Sequence, residues 1–150
     1  MQTNVSYDAI GNSTTAATLT ATYSDNSKVL LSKYLENLHL DIQYTPASGQ
    51  TNRFVYITVE ATNDDGTTYF QVSNKVIATT ETDIYTEDTD GNAGSPIIVP
   101  GDKTSAGGTI YYGTVDMDIM ADHIRIRTKE SGAANFGTVF VRCSMSGKVA

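Results

Sequence analysis

The sequence is short of several things. It has no tryptophan, one cysteine and three prolines in 150 residues, and charged residues make up only 18%. Each shortage excludes something. A lone Cys143 cannot close an internal disulfide, so the fold must rest on packing and backbone pairing. Cys143 lies between Val141 and Met145 on one apolar parity, the setting of a buried, inert thiol. A nucleophilic cysteine would instead need an exposed turn and a histidine partner. No run approaches the roughly 18 apolar residues of a membrane-spanning helix, so no membrane role is expected. The first residues, Met1-Gln2-Thr3-Asn4-Val5, have no basic region leading into an apolar one, and no secretory signal is expected there. Basic residues are scarce, with 10 Lys and Arg against 17 Asp and Glu and a net charge of −7. That balance argues against a nucleic-acid partner, which would need a basic face to displace counterions.

What fills the sequence instead is Thr (22), Asn (9), Ser (12) and Gly (12). This is a strand and turn vocabulary, poor in helix formers. Leu38, Leu40, Ile42 and Tyr44 alternate with His39, Asp41 and Gln43, the period of a half-buried strand. Val55, Ile57, Val59 and Ala61 alternate with Tyr56, Thr58 and Glu60 in the same way. Asn63-Asp64-Asp65-Gly66 predicts a hairpin turn, and the return strand Thr67–Val72 is expected to turn Phe70 and Val72 inward. Farther on, Tyr111, Val115, Met117 and Ile119 share one parity. Ile124 and Ile126 face in, with Arg125 and Arg127 out, and Val139, Val141, Cys143 and Met145 face in around Phe140, Arg142 and Ser144. The pattern predicts an all-β protein, an antiparallel β-sandwich of jelly-roll or Greek-key type with about eight strands. The one helical candidate is Lys28–Leu38, whose apolar density fits a strand entry nearly as well. The domain division is an N-terminal arm or first strand over 1–26, loosely packed, and a sandwich over 27–150 with a long loop at 80–108. Within the first part, Thr18–Tyr23 alternates and could be a strand.

Candidates for chemistry are few. His39 and His123 have no His or Cys at ligand spacing and read as surface or edge residues. Asp88, Asp90 and Asn92 precede or flank a Gly with oxygen ligands two apart, a faint calcium-loop pattern without its closing Glu. A solvated acidic loop is the simpler reading, and no metal or other cofactor is expected. There is no phosphate-binding glycine loop, nucleophile elbow or HExxH. The chain is therefore read as a non-enzyme.

Charge is unevenly distributed. Residues 80–92 hold Glu81, Asp83, Glu87, Asp88 and Asp90 with no basic residue, while residues 121–150 carry +3, with Arg125, Arg127, Lys129, Arg142 and Lys148. An acidic loop and a basic sheet face in one chain suit copies meeting head to tail, in a ring or a trimer. Pairing within one monomer is the bland alternative. Tyr56 and Tyr112 fall on the parity opposite the core and are candidates for partner contact or for stacking on a glycan.

The order of blocks carries a resemblance. Leu38-His39-Leu40-Asp41-Ile42-Gln43-Tyr44-Thr45-Pro46 precedes the Asp65-Gly66-Thr67-Thr68-Tyr69 hairpin. Then come Ile124-Arg125-Ile126-Arg127-Thr128-Lys129-Glu130 and Gly137-Thr138-Val139. Over roughly residues 36–148 this resembles small β-sandwich structural proteins of tailed-bacteriophage virions. The resemblance implies a jelly-roll or sandwich fold and a place on the particle, with capsid or other virion proteins as partners. The most concrete expectation is a capsid decoration or cement protein. It would be made in the host cytoplasm and located in the virion. The alternatives are a head–tail or tail component, and a carbohydrate-binding module on an appendage.

Overall fold

The computed structural model describes residues 2–12, 14–23, 29–48, 54–78, 97–100, 102–105, 109–130 and 134–148. Among the described residues there is no helix and there are eleven strands. They are β1 (Gln2–Ile10), β2 (Ala17–Thr18), β3 (Val29–Leu31), β4 (Asn37–Thr45), β5 (Phe54–Thr62), β6 (Phe70–Ala78), β7 (Ile97–Pro100), β8 (Asp102–Ser105), β9 (Thr109–Asp118), β10 (His123–Glu130) and β11 (Thr138–Lys148). Sheet A has the order β1-β11-β4-β9-β8, with β2 added against β11, and sheet B has the order β3-β10-β5-β6-β7. Pairing is antiparallel except between β6 and β7. The chain alternates between the sheets: β1 in A, β3 in B, β4 in A, β5 and β6 in B, β9 in A, β10 in B and β11 in A.

The two sheets form a sandwich because period-2 patterning gives each one an apolar inner face. From sheet A, Leu38, Leu40, Ile42, Tyr44, Val115, Val139, Val141, Cys143 and Met145 enter the core. Leu30, Val55, Ile57, Val59, Ile124 and Ile126 meet them from sheet B. Register fixes which residues face each other. Leu40 lies between Cys143 and Val115, and Ile126 lies opposite Val59.

The hairpin turn forms where it was expected. Asp65 and Gly66 both have positive φ, at 55° and 83°, and Thr67 N–H donates to Asp64 C=O at 3.3 Å. Asp tolerates that conformation, and Gly adopts it without steric cost. Asp64 also holds the loop from its side chain, accepting from Thr62 Oγ1 at 2.7 Å and from Thr68 N–H at 2.8 Å. Those bonds hold its carboxyl below the usual carboxylate range.

Four expectations are corrected. The N-terminal stretch is no loose arm. Eight residues of β1 pair with β11, and Ala9, Ile10 and Leu19 are buried in the core. Thr- and Asn-rich sequence concealed this, because an edge strand needs only a few apolar residues when its backbone is paired on one side. Of the two readings of Lys28–Leu38 the helix gives way to the strand entry: its described residues, 29–38, supply β3 and a tight turn in which Tyr34 has φ of 71°. Thr18–Tyr23 is not one strand, since only Ala17–Thr18 pairs, against β11. Phe70 and Val72 are exposed rather than inward. Phe70 pairs with Ala61 at the very end of the sheet, and a register shift follows between Val59 and Glu60. The shift re-aims the residues beyond it.

Candidate functional site

The outer face of sheet B is where the basic residues of β10 project. Register sets Arg125 beside Glu60, Arg127 beside Thr58 and Lys129 beside Tyr56. Glu60 Oε2 accepts from Arg125 Nε, and its Oε1 accepts from Arg127 Nη1 at 3.5 Å. Each cation also covers a tyrosine. Arg125 lies 3.6 Å from the centre of the Tyr69 ring, Arg127 5.6 Å from that of Tyr23, and Lys129 5.0 Å from that of Tyr56. Arg127 Nη2 donates to the Tyr23 carbonyl at 3.3 Å. The basic residues of β10 thus follow the alternative reading, a layer of guanidinium, phenol and carboxylate paired within one chain. Lys129 is itself buried.

The outer face of sheet A is open and polar. Across β11, β4 and β9, residues Phe140, Gln43 and Tyr112 form one row, and Arg142, Asp41 and Thr114 the next. These six line a hollow of about 340 Å³. Arg142 lies over the Phe140 ring at 5.9 Å, and its Nε is 3.6 Å from Asp8 Oδ1 on β1. One row further, His39 stands between two carboxylates, with Nδ1 2.6 Å from Asp116 and Nε2 3.1 Å from Asp41. Only the doubly protonated imidazolium donates from both nitrogens. The hydrogen bond to Asp116, then that to Asp41, outweighs partial burial and raises the histidine above its ordinary value of 6.5. A second hollow of about 640 Å³ opens here, over Asn37, His39, Asp116 and Ser146.

Between the sheets sits one buried polar link. Glu130, 1% exposed, closes β10 and faces Tyr44 at the end of β4. Tyr44 Oη donates to Glu130 Oε1, and the Gly137 N–H donates to Oε2 at 2.8 Å. Gly137 passes so close to β4 that an added Cβ would stand 2.3 Å from the Thr45 carbonyl oxygen.

The turns β3–β4, β5–β6 and β9–β10 gather at one end of the sandwich. Asp122 N–H donates to Asn63 Oδ1, and Ser32 and Lys33 N–H donate to the Asp122 carbonyl. This end presents apolar side chains to solvent: Met120 is 95% exposed, Tyr34 77%, Phe70 68% and Leu31 53%.

The residues singled out in the sequence are therefore dispersed. Arg125, Arg127 and Tyr56 lie on sheet B, while Arg142 and Tyr112 lie together on sheet A. Glu81, Asp83, Glu87, Asp88, Asp90 and Asn92 fall outside the described residues, as does most of the 80–108 loop. Its described pieces, β7 and β8, extend the edges of sheets B and A. Cys143 is buried, and burial pushes its thiol up to about 12. Among the described residues, no three His, Cys, Asp or Glu side chains are arranged to hold a metal ion. Sequence reasoning missed the His39 bracket and the Glu130 link. The spacing of His39 and Asp41, two apart on one strand face, was a signal for half of the bracket. Asp116 needed the β4–β9 register.

No protein-family model matches the chain, and no curated protein matches it.

Proposed function

We propose that this chain is a non-enzymatic structural subunit of a virion, a decoration or cement protein that binds a tailed-phage head by subunit–subunit contacts. The observation that carries this reading is the strand order. With β2, β7 and β8 set aside, β1-β11-β4-β9 faces β3-β10-β5-β6, and we read this as the order of a jelly roll. That architecture serves viral capsid and lectin domains. Fold alone does not give function, so the surface must support the reading. Here the reactive groups are tied down. The Cys143 thiol is buried, the Glu130 carboxyl is capped on both oxygens, and the β10 guanidinium groups share Glu60. The apolar end bearing Leu31, Tyr34, Phe70 and Met120 is the kind of exposed patch that marks a protein contact. The resemblance to small virion sandwiches points the same way.

The test joins light scattering, for oligomeric state, with co-sedimentation on heads assembled without the protein. Saturable binding by an oligomer is expected, weakened at least tenfold by Met120→Glu combined with Tyr34→Ser. A monomer that leaves the heads bare, or that loads tails instead, would overturn the decoration reading.

A further inference from the structure

The outer face of sheet A has a different character from the apolar end, and it carries its own inference. We propose that it is a binding trough for a neutral oligosaccharide, with Tyr112 as its stacking platform. The two hollows, of about 340 and 640 Å³, lie on successive pairs of rows of β11, β4 and β9, on either side of the hydrogen bond from His39 to Asp41. From Phe140 to Ser146 the trough runs six residues, about 20 Å at strand rise. That suits a chain of sugar units better than one compact molecule.

The chemistry of the lining sets the ligand class. A sugar ring offers hydroxyl groups that both donate and accept, and a C–H face that is apolar. In the smaller hollow Gln43 and Thr114 donate and accept, Asp41 accepts and Arg142 donates, all within two rows. Tyr112 supplies an aromatic surface beside them. The tyrosines against the outer face of sheet B do not offer the same surface, because Arg125, Arg127 and Lys129 lie over Tyr69, Tyr23 and Tyr56. The polar groups are also held in place. Asp41 is fixed by His39, Arg142 by Phe140 and Asp8, and all stand on central strands rather than on loops. Preorganisation of this kind reduces the ordering cost of binding. Among the described side chains, the face carries Asp8, Asp41, Asp116 and Asp118 against Arg142 and His39. This excess of carboxylates selects against anionic glycans such as polyuronates.

The experiment is affinity electrophoresis of the intact chain in native gels. The gels contain dextran, a galactomannan, a mixed-linkage glucan or a xylan, with alginate as the anionic comparison. Retardation is expected in at least one neutral gel and not in alginate. Tyr112→Ala and Gln43→Ala should each weaken it roughly tenfold, while Tyr69→Ala, whose ring lies against Arg125 on the far side of the sandwich, leaves it unchanged. Thermal melts of the variants establish that the sandwich persists. No retardation in any neutral gel overturns the proposal, as does retardation that survives Tyr112→Ala or that Tyr69→Ala abolishes. The outcome is independent of head binding, so this inference and the virion reading fail separately.

Discussion

Replacing Tyr44 with Phe removes one oxygen from the buried space between the sheets and nothing else. The tyrosine ring is fully buried, and its hydroxyl donates to a carboxyl oxygen of Glu130 that is itself 1% exposed. The phenylalanine ring fills the same space, so no large cavity forms. What remains is Glu130 Oε1 without that donor, while Oε2 keeps the Gly137 N–H. A buried polar group deprived of its partner costs about 1–3 kcal/mol. For a chain of this length, about 2 kcal/mol corresponds to a melting point lower by roughly 4–8 °C. Urea titration is the cleaner assay: the midpoint should fall with the slope unchanged, because the folded core stays compact. Glu130→Gln and the double variant complete a cycle, whose coupling should fall between about 0.5 and 3 kcal/mol. A Tyr44→Phe effect below about 0.5 kcal/mol, or a coupling near zero, would refute the idea that this link ties β4 of sheet A to β10 of sheet B.

Three further outcomes follow from the same structure. Because its hydrogen bonds to Asp116 and Asp41 raise the folded-state value of His39, its contribution is fully present below about pH 6.5. It is lost as pH rises through that raised value. Melting points from pH 5 to 9 should therefore show His39→Gln destabilised at the acid end and converging on the parent at the alkaline end. A gap that widens with pH would contradict this. Cys143, buried and with its thiol pushed up to about 12, should not react with Ellman's reagent at pH 8 until the chain unfolds, and rapid labelling of native protein would contradict its place in the core. Gly137→Ala places a methyl group 2.3 Å from the Thr45 carbonyl oxygen, a backbone atom that cannot swing aside. It should cost about 1–3 kcal/mol, the range of overpacking, by urea titration, and a neutral result would disprove the close approach of the β11 entry to β4.

The strands with strict alternation were legible because a single buried face imposes period 2. Leu38 to Tyr44, Val55 to Val59 and Val139 to Met145 all point where their spacing puts them. The Asp65-Gly66 turn was legible because its backbone conformation selects those residues. The β1 strand was not, since a paired edge can be written in Thr, Asn and Ser. Phe70 misled because parity says nothing about where a sheet ends. The sheet order comes from long-range pairing, such as β1 with β11, that no local pattern encodes. For the candidate sites the limit is the same. The alternation put Tyr112 and Arg142 on outer faces, but only the β11–β4–β9 register brings them to one hollow. Local spacing likewise could not show that Glu60 pairs with both Arg125 and Arg127.

The proposed role makes the chain a built-in part of a virus particle. The decisive assay, given a viral genome that encodes the chain, is quantitative mass spectrometry of that virus's purified particles. The protein should be present in intact, nuclease-treated heads, at a copy number comparable to that of the main shell subunit. Its absence from the particles, with the protein remaining in the infected-cell extract, would contradict it.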